Sequence, residues 1–157
     1  MRKYLIVFLI SMVPLIELRG AVPYAVGMGL PVVPSLIVSV IGNMLPVPFI
    51  FLFARRILDW GKDKKYIGGF CRWCLEKGEK GGRKMEEKAG RGLYVALLLF
   101  VGIPLPGTGA WTGTLAASML NLDFRKSVVY VLLGVLLAGA IMLAASLGVF
   151  GAVSFLK

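Results

Sequence analysis

The chain has 157 residues, of which 58% are hydrophobic, and it contains no histidine. This composition excludes an ordinary soluble domain and predicts an all-α integral membrane protein with a single membrane domain, residues 1–157. The net charge of +10 is concentrated, because residues 55–91 hold 12 of the 18 Lys and Arg residues. Three uncharged stretches, 20–54, 92–122 and 127–156, each exceed the roughly 20 residues that one membrane helix needs.

The first predicted element carries two charges inside an apolar run. Glu17 and Arg19 lie in Pro-Leu-Ile-Glu-Leu-Arg-Gly-Ala-Val-Pro, residues 14–23, with uncharged flanks on both sides. Ionisable residues within a membrane are costly and by default mark an ion or substrate path. An interfacial charge pair is the alternative. No small-residue cleavage site follows the basic N-terminus, so we expect residue 1 to remain in the mature protein.

Clusters of proline and glycine break two of the apolar stretches. Proline removes a backbone donor, and unwound backbone within a membrane is tolerated only where protein buries it or where it lines a cavity. We therefore predict two inverted repeats, each a re-entrant helical hairpin followed by a transmembrane helix. The predicted boundaries are hairpin 4–30 and span 33–53, then hairpin 93–120 and span 127–150. The predicted hairpin breaks are Pro14, Gly20, Pro23, Pro104, Pro106, Gly107 and Gly109. Kinked but continuous helices, with two plain spans in each half, are the alternative.

Residues 55–91 form a predicted basic loop between the repeats, with six acidic residues interleaved. The positive-inside rule places this loop and residues 123–126 in the cytoplasm, where anionic lipids would attract the loop. The hairpin topology leaves Arg2 and Lys3 outside, and charge alone does not decide against two plain spans. We expect no nucleic-acid partner, because such a tethered loop is ordinarily a solvated face. Its glycine-rich part, residues 78–83, is predicted to be flexible.

Cys71 and Cys74 lie in the same loop. Two thiols without any histidine cannot complete a tetrahedral zinc site in one chain, so we expect no metal and no cofactor. Two reduced thiols are the favoured interpretation, and a redox pair or a site shared across a dimer are the alternatives. The sequence lacks the motifs of nucleophilic or phosphate chemistry, and we expect no enzymatic activity.

A shift of 90 positions places Pro14 and Leu15 over Pro104 and Leu105, with sparse identity. Inverted repeats of transporters have this weak similarity, and the two hairpin tips are predicted to meet near the membrane midplane. The predicted proton- or substrate-binding residues there are Glu17, Arg19, Asn43, Thr108, Trp111 and Thr112. Alternatively, Trp111 only packs within its hairpin, and the two threonines bond carbonyls that the prolines leave free.

Three segments resemble the prokaryotic family of small multidrug export proteins. They are residues 14–23, residues 42–48 (Gly-Asn-Met-Leu-Pro-Val-Pro) and residues 104–113 (Pro-Leu-Pro-Gly-Thr-Gly-Ala-Trp-Thr-Gly). That family is similar to the DedA superfamily, or VTT group, whose fold is described as two inverted re-entrant hairpins, each followed by a span. DedA relatives are implicated in moving phospholipids or polyprenyl phosphates, with acidic and arginine residues at the hairpin tips. Only Glu17 and Arg19 match those roles, because the second hairpin has Thr108 in place of a charge.

The residues and the resemblance together predict a multi-pass transporter or flippase of DedA-like type in the cytoplasmic (inner) membrane of a prokaryote. We expect Glu17 to carry a coupling proton, and Arg19 to pair with it or with an anionic headgroup. The expected partners are membrane lipids, an amphipathic or lipid-phosphate substrate and protons, and a homodimer is plausible for so short a chain. The alternatives are a small multidrug/proton exporter and a non-transporting scaffold that docks a partner through the basic loop.

Overall fold

The computed structural model describes residues 2–64, 66–89 and 92–155. Within these ranges every regular element is a helix, which confirms the predicted all-α class. One π-helical turn, Ile50–Ala54, lies between α4 and α5. The helices are α1 (Arg2–Met12), α2 (Glu17–Gly27), α3 (Val32–Met44), α4 (Val47–Phe49), α5 (Arg55–Gly61), α6 (Gly68–Ala89), α7 (Leu93–Gly102), α8 (Ala110–Met119) and α9 (Phe124–Phe155).

Two helical segments of the described chain are long and apolar enough to cross a membrane. They are Val32–Phe53, with 22 residues, and Phe124–Val149, with 26 residues. The first includes α3, α4 and most of the π turn, and its register changes after Pro46 and Pro48, each of which lacks a backbone donor. The Ser118 hydroxyl of α8 donates a hydrogen bond of 2.8 Å to the Phe51 carbonyl in this turn.

The faces of α3 are inverted relative to those of a helix in a soluble protein. Its buried side carries the polar residues Ser35, Ser39 and Asn43, spaced four residues apart. Its outward side carries large apolar residues, including Ile37 and Ile41, which are both exposed. An exposed apolar face around a buried polar one indicates contact with lipid rather than water.

Helices α1 and α2 pack against each other across a break at residues 13–16. Val7 of α1 and the small residues Ala21 and Ala25 of α2 form their buried contact. Gly42 lets α3 approach α1 closely, since a Cβ added there would lie 2.7 Å from the Phe8 carbonyl oxygen. Small residues at these positions permit the close helix contacts that stabilise membrane proteins.

Helices α7 and α8 form a second packed pair, separated by residues 103–109, and α9 packs along α7. The main core joins Leu97 and Val101 of α7 with Val131 and Val135 of α9. Leu18 of α2 belongs to the same core. Helix α2 therefore links the first helix pair to the second.

Helices α2 and α8 end with the same hydrogen-bonded cap. The Leu30 N–H donates to the Ala25 carbonyl, and the Leu122 N–H donates to the Ala117 carbonyl, both at 3.0 Å. The residue before each donor is left-handed, with φ of 65° at Gly29 and 53° at Asn121. This is a Schellman-type ending, and α3 and α9 each begin two residues after it.

The basic segment differs from the predicted flexible loop, because most of its described part is helical. Helix α6 covers residues 78–83, where the sequence predicts flexibility. Tertiary packing explains the difference: α6 lies on α8, and a Cβ added to Gly78 would meet the Leu115 side chain at 2.8 Å. The glycine that lowers helix propensity is also the residue that permits this contact.

Gly134 sets the distance between α7 and α9, and its replacement tests that packing. A Cβ there would lie 2.8 Å from both the Leu98 carbonyl oxygen and the Val101 Cβ, whereas a Cβ at Gly148 of the same helix would meet nothing within 4 Å. We expect Gly134→Ala to destabilise the protein by about 1–3 kcal/mol through overpacking. Thermal unfolding in detergent measures this change.

The matched control is Gly148→Ala, which gives α9 the same gain in helix propensity, about 1 kcal/mol, without a clash. It should leave the unfolding temperature unchanged or slightly raised. Equal stability of the two variants would contradict the packing of α7 against α9.

Candidate functional site

The Glu17 side chain caps a helix in the other half of the chain. It is 3% exposed, and its two carboxylate oxygens accept hydrogen bonds of 3.0 Å from the backbone N–H groups of Ala110 and Trp111. These are the first two N–H groups of α8, which have no partner within their own helix. A carboxylate at this end is favoured by the hydrogen bonds and by the helix dipole.

Glycine at position 109 makes room for this carboxylate. Gly109 precedes α8 and cannot cap it with a side chain. Its backbone, with φ of 135° and ψ of −176°, lies in a region that is essentially restricted to glycine. A Cβ at this position would lie within 2.9 Å of the Glu17 carboxylate carbon. Glu17 therefore occupies the space that a capping side chain at position 109 would take.

Arg19 contacts the backbone that follows the end of α7. Its guanidinium donates hydrogen bonds to the backbone carbonyls of Ile103 and Leu105 and to the Thr108 hydroxyl, the last at 2.7 Å. The Thr108 hydroxyl also lies 3.0 and 2.9 Å from the same two carbonyl oxygens. Both carbonyls precede a proline, which offers no N–H to continue the helix. Each carbonyl also accepts one backbone N–H within the break, from Leu105 and Thr108 respectively. Arg19 and the Thr108 hydroxyl thus add side-chain hydrogen bonds that hold the backbone of the break in place.

Of the other predicted site residues, Asn43 lies beside Glu17, whereas Trp111 and Thr112 line a cavity. Asn43 of α3 is 2% exposed and its side-chain amide adjoins the Glu17 carboxylate. Trp111 follows Ala110 in α8, with its indole on a cavity, and Thr112 lines the same cavity. Within the part of the chain that the structure describes, the Asn43 Oδ1 and Trp111 Nε1 atoms are buried without a hydrogen-bond partner.

Two cavities are lined in part by the second break. The aromatic cavity, of about 530 Å³, is lined by both breaks, by the bent segment after α3 and by one face of α6. Its aromatic lining residues are Phe49, Phe53, Phe70, Trp73 and Trp111.

The proline cavity, of about 410 Å³, is lined by Arg19, by residues 104–107 and by Met142 of α9. Leu15 and Gly107 line both cavities and separate them.

Charged residues on the two cavities are cationic. Among the described residues, Lys77 is the charged residue that lines the aromatic cavity, and Arg19 is the one that lines the proline cavity. Glu17 lines neither of them. Lys77 was not predicted as a site residue, although the helical spacing of Phe70, Trp73 and Lys77 indicates this face in the sequence.

The described residues contain no cluster of three or more histidine, cysteine or acidic side chains that could hold a metal ion. Cys71 and Cys74 are free thiols on α6. Burial raises the pKa of the Cys74 thiol, and the neighbouring Cys71 raises that pKa further. A raised pKa lowers the thiolate fraction at neutral pH, which disfavours a reactive redox pair.

The inverted faces of α3, the two long apolar helices and the charges that cap broken helices define an all-helical membrane protein. No curated protein and no solved structure matches this chain. A family model matches residues 17–141, and the chain belongs to that family, described as "Putative small multi-drug export protein". The matched range begins at Glu17 and includes all six predicted site residues.

Replacement of Gly109 tests whether Glu17 and α8 fit as described. We expect Gly109→Ala to destabilise the protein by more than Gly29→Ala, because position 29 has only the left-handed φ of 65° and open space around it. The strain at position 29 costs about 1–2 kcal/mol. At position 109 the added Cβ would also clash with the Glu17 carboxylate, which raises the cost of the substitution further. Thermal unfolding in detergent compares the two variants.

A double-mutant cycle isolates the carboxylate contact. Gly109→Ala should cost less in a Glu17→Ala background, because the side chain that it strikes has been removed. Additive losses in the cycle would show that Glu17 does not occupy the space beside Gly109.

Proposed function

We propose that this protein is a proton-coupled transporter or flippase of DedA-like type, which moves an amphipathic anion such as a lipid phosphate. The observation that carries the proposal is the distribution of charge. Both cavities are lined by a cation, Lys77 or Arg19, while Glu17 is buried and engaged by backbone N–H groups. This arrangement favours an anionic substrate over a cationic one.

The lengths of the broken helices support the proposed re-entrant hairpins. Helices α1 and α2 have 11 residues each, and α7 and α8 have 10 each. At 1.5 Å per residue, each extends about 15–17 Å, roughly half of a hydrocarbon core of about 30 Å. Each pair can thus enter a membrane and return to the same side.

The cap geometry supports the proposed inverted repeat. The two Schellman-type endings, at Leu30 and Leu122, are 92 positions apart, and α3 and α9 begin at the same separation. A pair of short helices and one long helix therefore follow each other in the same order twice. We assign residues 55–91 to the cytoplasm of a prokaryotic inner membrane because of their positive charge.

Protonation of Glu17 provides a route for coupling. The ionised carboxylate accepts two charge-assisted hydrogen bonds from α8, and such bonds are roughly twice as strong as neutral ones. A bound proton neutralises the carboxyl group and weakens its attraction to the positive end of α8. We propose that this change loosens α2 from α8 and lets the two breaks separate.

Multidrug export is the second candidate, favoured by the description of the family. A cationic drug would need the Glu17 carboxylate as its partner, which requires the carboxylate to leave the N–H groups of α8. A membrane scaffold that acts through its basic segment is the non-transporting alternative. It would not need a charge at position 17.

Transport in proteoliposomes tests the proposal. We expect wild-type protein to move a fluorescent polyprenyl phosphate or phospholipid under an imposed pH gradient, and to leave a cationic dye in place. Glu17→Gln and Arg19→Ala should each reduce the lipid rate by about tenfold or more, the equivalent of losing one hydrogen bond to a charged group, about 1.4 kcal/mol. Glu17→Gln should also abolish the response to the gradient.

The control is Glu79→Gln, which removes an exposed carboxylate of α6 and should transport as wild type. Arg19→Lys keeps the charge but loses the planar fork, so its rate should lie between those of wild type and Arg19→Ala. Dye movement that requires Glu17 but tolerates Arg19→Ala would establish drug/proton exchange instead. Movement of neither probe by folded wild-type protein would favour the scaffold.

A further inference from the structure

One face of α6 forms a wall of the aromatic cavity. Phe70, Trp73 and Lys77 follow each other at intervals of three and four residues, Cys74 lies next to Trp73, and all four line the cavity. This spacing places them on a single helical face. The basic segment is therefore part of the cavity as well as a connection between the two halves.

The aromatic cavity has the size and surface of a site for a hydrocarbon chain. Its volume of about 530 Å³ lies within the range of about 300–1,000 Å³ that is common for ligand pockets. Aromatic and aliphatic side chains from four parts of the chain line it, and Thr112 and Lys77 supply polar atoms. A hydrocarbon chain in this cavity would gain van der Waals contacts with these side chains.

Lys77 places a positive charge beside the second break. A Cβ added to Gly107 would lie 3.5 Å from the Lys77 Nζ, so the ammonium reaches the backbone of the break. The Nζ atom also lies 5.9 Å from the centre of the Trp73 ring. Among the residues whose side chains the structure describes, Lys62 and Asp59 form an ion pair, and no carboxylate of that set pairs with Lys77. A cation at the rim of an apolar cavity is complementary to an amphiphile with one anionic end.

We propose that the aromatic cavity binds the hydrocarbon chain of a lipid phosphate and that Lys77 binds its phosphate group. This inference rests on the proposed function and names a residue that determines the specificity of the same transport path. The phosphate lies beside Gly107, whose lack of a side chain leaves the ammonium accessible. The Phe70 and Trp73 rings contact the chain. Free phosphate lacks the apolar part that fills the cavity, and a cationic amphiphile is repelled by Lys77.

Tryptophan quenching by a brominated long-chain alkyl phosphate tests the proposal directly. Trp73 and Trp111 line the cavity and Trp60 does not, so the full chain is used with Trp60→Phe in detergent. We expect saturable quenching, with the matched brominated alcohol binding about tenfold more weakly because it lacks the charge-assisted contact. Lys77→Gln should weaken binding of the phosphate about tenfold and leave binding of the alcohol unchanged.

The matched control is Lys80→Gln, which removes the same charge from the same helix at a position that does not line the cavity, and it should bind the phosphate as wild type. Lys77→Arg should restore most of the preference for phosphate. Equal weakening by Lys77→Gln and Lys80→Gln would show a general surface charge and overturn the proposal. Non-saturable quenching would overturn the cavity as a binding site.

The two proposals fail separately. Lys77-dependent binding without any transport in proteoliposomes would leave the binding site intact and reject the transporter. Lipid transport that requires Glu17 and Arg19 but is unchanged by Lys77→Gln would retain the transporter and reject Lys77 as its phosphate contact. Because the binding assay requires no proton gradient, it does not depend on the coupling step.

Discussion

The structure depends on satisfying the backbone of a broken helix in a place with little water. The break between α7 and α8 leaves N–H groups at the start of α8 without partners in their own helix, and the carbonyls of Ile103 and Leu105 within it have one backbone partner each. Glu17 accepts from the N–H groups and Arg19 donates to the carbonyls. Two residues of α2, separated by one residue, thus complete a break about 90 positions away. An unpaired buried polar group would cost several kcal/mol in a hydrocarbon setting.

This arrangement explains why the two halves carry different residues at corresponding places. The first break supplies charged side chains, and the second supplies backbone and the Thr108 hydroxyl that accepts from Arg19. A cationic side chain at position 108 would compete with Arg19 for the same carbonyls. The first break also has left-handed backbone at Leu15 and Glu17, with φ of 73° and 50°. Strain of this kind persists only where surrounding contacts hold it, and the contacts of Glu17 with α8 provide that support.

The sequence was sufficient to predict the all-α class and interruptions at Pro14 and at residues 104–109, because proline removes a backbone donor whatever its neighbours. The predicted breaks at Gly20 and Pro23 were wrong, since both residues lie inside the continuous helix α2, where packing overrides their low helix propensity. It could not predict that Glu17 would bond the N–H groups of Ala110 and Trp111, since that pairing depends on how α2 meets α8. Helix α6 was missed for the same reason: glycine-rich sequence has low helix propensity, and only its contact with Leu115 favours the helix. Lys77 was not predicted either, because its position beside Gly107 depends on the packing of α6 on α8.

The same contacts constrain how a substrate could move. The aromatic and proline cavities meet at Leu15 and Gly107, and each has its own cation. An anion that passed from Lys77 to Arg19 would therefore pass Leu15 and Gly107. Leu15 belongs to the break that carries Glu17, and Gly107 belongs to the break that Glu17 holds through α8. Loss of the contact between Glu17 and α8 would therefore allow both Leu15 and Gly107 to move. A barrier formed by one rigid helix would not respond to protonation of Glu17. Under the proposed function, the position of this carboxyl group would join proton binding to the path of the anion without requiring the two to share a site.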